Sequence, residues 1–280
     1  YKNILNKNAL VVQRINECDE RKGTKGVNEF YIKSTKISDH IIFVSTWLQQ
    51  LYLNFGLSGK NTSVILSGSD EEIFNKPTLI NETKSEKIKL VTHHWSSNKF
   101  KGLEFYLILD QLLSSQEWKN KIEFTYIGNI SDEFKFNNTR VLDPMEDFEI
   151  AKELKKHHVY VTGSINEPSG NHHIEAAQCG LPILYLDSGG IPEYCDGFGV
   201  KFTSTEDFEI KLKEIILNYK TLRGNMKNYN LNSTKMSAEY LHLFEKMLQD
   251  IENKDNKSNK SIFRKKSFVF SQKLKNRFNL

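Results

Sequence analysis

The stretch that decides the fold runs Ser164-Ile165-Asn166-Glu167-Pro168-Ser169-Gly170-Asn171-His172-His173-Ile174-Glu175-Ala176-Ala177-Gln178-Cys179-Gly180-Leu181-Pro182-Ile183, and closes with Gly189-Gly190-Ile191-Pro192-Glu193-Tyr194. An apolar run over 159–162 predicts a buried strand just before it, and 181–186 predicts another within it. Between them, a loop holding Pro168 and Gly170 leads directly into a helix expected over 171–179, stopped by Gly180. A glycine-bearing turn from strand to helix presents free backbone N–H groups and the positive end of the helix dipole, which suits a phosphate. The turn lies at the carboxyl end of a strand, where open parallel sheets bind their ligands. Gly170, Asn171 and His172 are the candidate contacts there.

Two carboxylates flank the turn. Glu175 sits about one turn into the helix, on a rigid element, and suits acceptance of two neighbouring ribose hydroxyls. Glu167, on the loop, suits hydroxyls of a sugar ring. Each alone reads better as a solvated charge or, for Glu175, a partner of the helix dipole.

Working outward, short apolar runs alternate with helical patterns. Strands are expected over 9–13, 41–45, 62–66, 88–92, 122–127, 140–142 and 200–202, and helices over 28–36, 46–55, 102–113 and 145–156. In the last of these helices Phe148, Ile150, Ala151 and Leu154 are expected on one side. This order argues for parallel sheets covered by helices on both faces. Phe208, Leu212, Ile215, Tyr219 and Leu222, then Met236, Tyr240, Leu243, Met247 and Ile251, trace two further core-facing helical stripes.

Composition excludes several classes. The 280 residues are 38% hydrophobic and 26% charged, with a net charge of +4, too small for a nucleic-acid binder. Cys18, Cys179 and Cys195 are scattered, which argues against a disulfide framework or a zinc site and fits a reducing compartment. No apolar run approaches the roughly 18–20 residues of a membrane span, and the start Tyr1-Lys2-Asn3-Ile4 shows no n-region, h-region or cleavage pattern. With Tyr1 where an initiator Met would stand, the chain is expected to be a fragment. From residue 252 onward, nine Lys or Arg face two acidic residues. Two readings of this tail stay open: a solvated disordered end, or a peripheral contact with anionic lipid through Phe263, Phe268, Phe270, Phe278 and their basic neighbours. His93, His94, His172 and His173 lack the spacing of a metal site.

Glu167-x7-Glu175, then Ala176-Ala177-x-Cys179-Gly180-Leu181-Pro182 and Gly189-Gly190-x-Pro192-Glu193, resembles the donor-site signature of the family 4 retaining glycosyltransferases, which have the GT-B fold. Ser67-Gly68-Ser69-Asp70 with Phe74 resembles their interdomain segment, and 95–102 stands where they carry a Gly-Arg-x-x-x-x-Lys-Gly segment whose Arg and Lys bind the donor diphosphate. Lys101 matches that Lys, Ser96 falls at the Arg, and Lys99 is the candidate second cation, though a point charge is no bidentate fork.

The resemblance implies an α/β, GT-B type architecture: a Rossmann-like doubly wound parallel sheet domain over 87–232, preceded by part of a second Rossmann-like domain, the acceptor side, over 1–74. A linker over 75–86, a C-terminal helix over 233–252 and the basic tail over 253–280 complete the expected organisation. The implied chemistry is retaining transfer of a hexosyl group from a nucleoside diphosphate sugar to a hydroxyl of a glycan or lipid-linked acceptor, in the cytoplasm or at the inner face of a membrane. It needs neither metal nor cofactor beyond the sugar nucleotide as co-substrate. Glu167 and Lys101 carry the catalytic roles. Lys99, Ser164, Gly170, Asn171, His172, Glu175 and Gly68 bind the donor. The alternative is a truncated or non-catalytic sugar-nucleotide-binding module. The family's His near the sugar has no counterpart in 11–21, where Arg14, Asn16 and Asp19 either face the cleft or pair locally.

Overall fold

The computed structural model describes residues 9–77, 87–131 and 134–255, with side chains to 251. The chain divides into two compact units, Tyr1–Met236 and Ser237–Leu280. In chain order the elements are β1 (Val12–Ile15), α1 (Asp19–Lys22), α2 (Val27–Ser34), β2 (His40–Phe43), α3 (Thr46–Asn54) and β3 (Asn61–Val64). There follow β4 (Ile88–His94), α4 (Leu103–Leu112), α5 (Gln116–Lys119), β5 (Ile122–Gly128), β6 (Arg140–Leu142), α6 (Asp147–Leu154), β7 (Val159–Thr162), α7 (Asn171–Gln178), β8 (Ile183–Leu186), α8 (Ile191–Cys195) and β9 (Gly199–Phe202). Then come α9 (Thr205–Leu217), α10 (Tyr219–Asn225) and α11 (Ser233–Asp255). Most of the expected 75–86 linker and nearly all of the 253–280 tail lie outside the described residues.

β1, β2 and β3 form a parallel three-stranded sheet in that order. The other six strands form a second parallel sheet, ordered β6-β5-β4-β7-β8-β9. The chain steps outward from β4 to β5 and β6, then returns to lay β7 on the other side of β4. Strand order therefore reverses between β4 and β7, and the crevice at their carboxyl ends is where such sheets take ligands. Lys101 follows β4 and Glu167 follows β7, so this topology brings both to the crevice.

Continuous apolar strands such as Val159–Thr162 are buried along their whole length because helices cover both faces. α7 lies against the sheet through Ile174, Ala176 and Ala177, all fully buried. The two alanines let its backbone approach closely, and burying Ile174 contributes about 2 kcal/mol. At the start of α4, Gly102 has φ +83, and a Cβ there would meet the Gly163 backbone at 2.3 Å. Two glycines in contact thus seat the turn that bears Lys101 on the end of β7.

The two sheets are joined by hydrogen bonds from α8. The Glu193 carboxylate accepts from Thr46 N and Trp47 N, each at 2.8 Å, and so caps α3 of the other sheet. Tyr194 Oη accepts from Ser67 N at 3.0 Å and donates to the Val44 carbonyl. Both residues are far apart in sequence from their partners, and no local pattern announces the contact.

Three expectations need correction. The first strand lies at Val12–Ile15, beyond most of 9–13. Phe148 is 72% exposed, whereas Ile150, Ala151 and Leu154 are buried; two residues of helix turn a side chain by about 200°, so Phe148 faces away from Ile150. The stripe drawn through Phe208 to Leu222 is divided between two helices, α9 and α10, separated at Asn218.

Candidate functional site

The crevice encloses a cavity of about 700 Å³. One wall comes from the small sheet: Arg14, Asn16, Arg21, Lys22 and Ser67. The other comes from the large sheet and includes His93, Lys101, Glu167, Gly170, His172 and Glu175. Asn171 also lines it, at the mouth of α7.

α7 begins at Gly170, with φ +72 and ψ 114, and no side chain caps its first amides. An uncapped first turn leaves orphan N–H donors, here facing the cavity. A Cβ on Gly170 would stand 2.8 Å from His172 and 3.0 Å from both Glu167 and His173. Glycine at this position therefore allows the carboxylate and two imidazoles to close around the turn.

Glu167 is only 3% exposed. Lys101 Nζ reaches one of its oxygens at 2.5 Å and Arg21 Nε the other at 2.8 Å. Arg21 also bonds Glu17 at 2.9 Å. A buried carboxylate needs such partners to stay ionised, and here they come from opposite walls. The carboxylates in turn hold the Arg21 guanidinium above its already high ordinary pKa, against the opposing effect of burial. Glu175 accepts from or pairs with His93 Nε2 at 2.9 Å, leaving it on the cavity wall beside α7's first turn.

Three candidates fall elsewhere. Lys99 is exposed, outside the cavity, with its ammonium 5.3 Å from the Phe100 ring. The three-residue 3-10 turn Lys99–Lys101 points only its last residue inward. Gly68 does not line the cavity: a Cβ there would strike the Asn232 backbone at 2.0 Å, so this glycine serves the close approach of 67–70 to 230–233. Ser164 is fully buried behind the cavity, its hydroxyl unpartnered in the structure. Of the earlier polar residues, Arg14 and Asn16 face the cleft, whereas Asp19 is spent on Val27 N, Asn28 N and the Thr24 hydroxyl. Arg21 escaped sequence reasoning; its sole signal was a basic residue soon after a strand end.

The four histidines form an edge-to-face cluster: His94–His172 and His172–His173 ring centroids lie 4.9 and 5.0 Å apart, and His93–His172 6.3 Å. Among the described residues, no group of three or more His, Cys, Asp or Glu is placed to hold a metal ion. Burial pushes His94 and His172 well below the ordinary histidine pKa, and drives His173 down to about 3, with Lys101 adding to all three shifts. His172, bonded through Nε2 to the Thr162 hydroxyl at 3.1 Å, therefore meets any ligand as a neutral ring. On the far side of the domain His157 falls to about 4, again chiefly by burial.

These depressed values set an acid limit. The folded forms stay neutral while the unfolded chain protonates near 6.5, so the stability is complete above that value. It is lost as pH falls toward about 4 for His157 and about 3 for His173. The slope is at most about 1.4 kcal/mol per pH unit for each histidine. Melting temperature should therefore drop steeply between pH 6.5 and 5. A flat profile across that interval would contradict neutral burial.

Residues 120–232 match the family described as glycosyl transferases group 1. The matched segment holds β5 to β9, α7 and the cavity carboxylates Asp147, Glu167 and Glu175. Comparison with curated protein sequences finds no match. Among solved structures, the chain is similar to Anabaena HepE in complex with UDP-glucose: TM-score 0.69, 15% identity, covering 86% of this chain and 73% of that one. It is similar to sucrose-phosphate synthase from Thermosynechococcus elongatus, with TM-score 0.65, 15% identity, and coverage of 85% and 68%. A glycosyltransferase from Rickettsia africae aligns with TM-score 0.64 at 15% identity, over 86% of this chain and 71% of that one. At such identities the likeness speaks for the fold, which is of the GT-B type. Among the described residues no helix is long and apolar enough to cross a membrane.

Proposed function

We propose that the chain binds a nucleoside diphosphate sugar in this cavity and transfers its hexosyl group to an acceptor hydroxyl with retention of anomeric configuration. One observation carries the reading: an uncapped helix start, opened by Gly170, faces a cavity that also holds Lys101, Arg21 and the carboxylates Glu167 and Glu175. The UDP-glucose bound in the Anabaena structure supports a sugar nucleotide as the donor.

In this reading the diphosphate lies against the first amides of α7 and Lys101. Arg21 supplies the guanidinium that position 96 lacks. The acceptor oxygen bonds to the anomeric carbon, the bond from that carbon to the β-phosphate oxygen breaks, and the hydroxyl proton leaves with the departing diphosphate or to water. Negative charge grows on the leaving oxygen, where fixed cations and amides stabilise it most. These groups supply the positive field from the protein itself, so the proposal invokes no metal or cofactor. Both oxygens of Glu167 are engaged by cations, which suits it to orient sugar hydroxyls and makes it a poor nucleophile. Glu175 holds the ribose. The three unpaired, buried cysteines fit a cytoplasmic setting.

The test is a thermal-shift panel of UDP-, GDP- and ADP-sugars, since a ligand of the folded state alone raises its melting temperature. One of them should do so; none doing so would refute the donor site. NMR of the product's anomeric proton against the donor's then decides retention. A second expectation belongs here. Glu175→Ala removes charge-assisted bonds to ribose that the ground state and transition state share. It should raise donor KM by about 10–100-fold with kcat nearly unchanged. An unaltered KM would remove Glu175 from the donor site.

A further inference from the structure

The charges lining the cavity are unequally committed. Lys101 and Arg21 are paired with Glu167. Lys22 is paired with Glu17 at 2.7 Å. Arg14 also lines the cavity, yet among the described residues its side chain has no carboxylate partner; its hydrogen bond is to the Ser67 hydroxyl at 3.3 Å. Beside it on the same wall stands Asn16, an exposed amide. Both emerge at the carboxyl end of β1 in the small sheet, across the crevice from α7 and Lys101. A sugar nucleotide seated on α7 would present its hexosyl group toward this wall, so the wall faces the acceptor.

We propose that Arg14 reads an anionic group on the acceptor: the chain glycosylates a saccharide carrying a carboxylate or a phosphate, which the Arg14 guanidinium binds while Asn16 holds an adjacent hydroxyl. The proposal rests on the donor-site reading above. A guanidinium is a fork of donors matched to both anions. Arg14 itself is exposed on the cleft wall; a bound saccharide would cover it, and a neutral one would do so without pairing the charge. Arg14 is uncommitted because no carboxylate of the donor wall reaches it. The other lining carboxylates, Asp147 at the start of α6 and Glu175 on α7, make no ion pair with it.

The experiment uses the full chain, saturated with whichever nucleoside diphosphate most raises its melting temperature, so that the diphosphate subsite is filled. Glucose 6-phosphate, glucuronate and glucose are then titrated by NMR. At least one anionic sugar should bind about tenfold or more tightly than glucose, and comparison of the two tells a phosphate from a carboxylate. Arg14→Gln should abolish the preference while leaving nucleotide affinity within about twofold, and Arg14→Lys should restore part of it. Three sugars binding alike, no saturable binding of either anionic sugar, or a preference that survives in Arg14→Gln would overturn the proposal. Failure of every nucleoside diphosphate to raise the melting temperature would show up earlier, and would bring down the donor-site reading together with this one.

Discussion

Lys101→Ala lowers kcat by about 10²–10³-fold, the loss expected when one fixed donor is removed from a developing anion. Lys101 is the cation that the Gly102–Gly163 contact seats at the end of β7, and it is only 16% exposed. Its effect should fall on turnover more than on donor KM, because the leaving oxygen carries its full charge only in the transition state. Melting temperature should move little, since Arg21 still pairs with Glu167 once Lys101 is gone. Single-turnover kinetics with saturating donor gives the measurement. A rate within about threefold of the parent would mean that Lys101 does not touch the reacting phosphate.

Glu167→Ala affects stability as well as turnover. Removing this carboxylate leaves Lys101 and Arg21 facing each other across a mostly buried gap, with nothing between them. Breaking a buried ion pair by deleting one partner costs on the order of 3–5 kcal/mol. In a chain of this size that lowers the melting temperature by roughly 6–20 °C, and transfer should be lost with it. Glu167→Gln keeps the shape and two hydrogen-bonding atoms, so it should recover part of the stability while remaining deficient in turnover. Calorimetry of both variants separates the two effects. If Glu167→Ala melts like the parent, the triad is not the structural joint that its geometry indicates.

The alternation of strands and helices was readable because buried parallel strands are continuous apolar runs and each helix ends at a glycine or polar turn. The turn at Gly170 and the spacing from Glu167 to Glu175 were readable for the same reason: both are local. What joins the walls was not. Arg21 lies 146 positions before Glu167, and Glu193 reaches 147 positions back to Thr46. Nothing in an isolated Arg or Glu says which distant partner it meets. Lys101 was marked by its place in the motif, whereas Lys99 as a second cation was set aside only by the geometry of a three-residue 3-10 turn. The two His-His pairs read as chain neighbours pointing apart. The end of β4 and the first turn of α7 bring them edge to face in one cluster.

The clasp made by Glu193 and Tyr194 bears on how the molecule comes apart. Among the described residues the small sheet has three strands of four residues each, packed with α3 on a core that includes Ile41, Phe43 and Leu48. Its helix α3 begins on a carboxylate lent by the larger sheet, and its loops at Val44 and Ser67 are fastened to one phenol. Heat or denaturant therefore cannot separate the small sheet from the large one without stripping α8 of these partners. The two sheets should be lost in a single cooperative event, and the width of the crevice between them is inherited from folding itself.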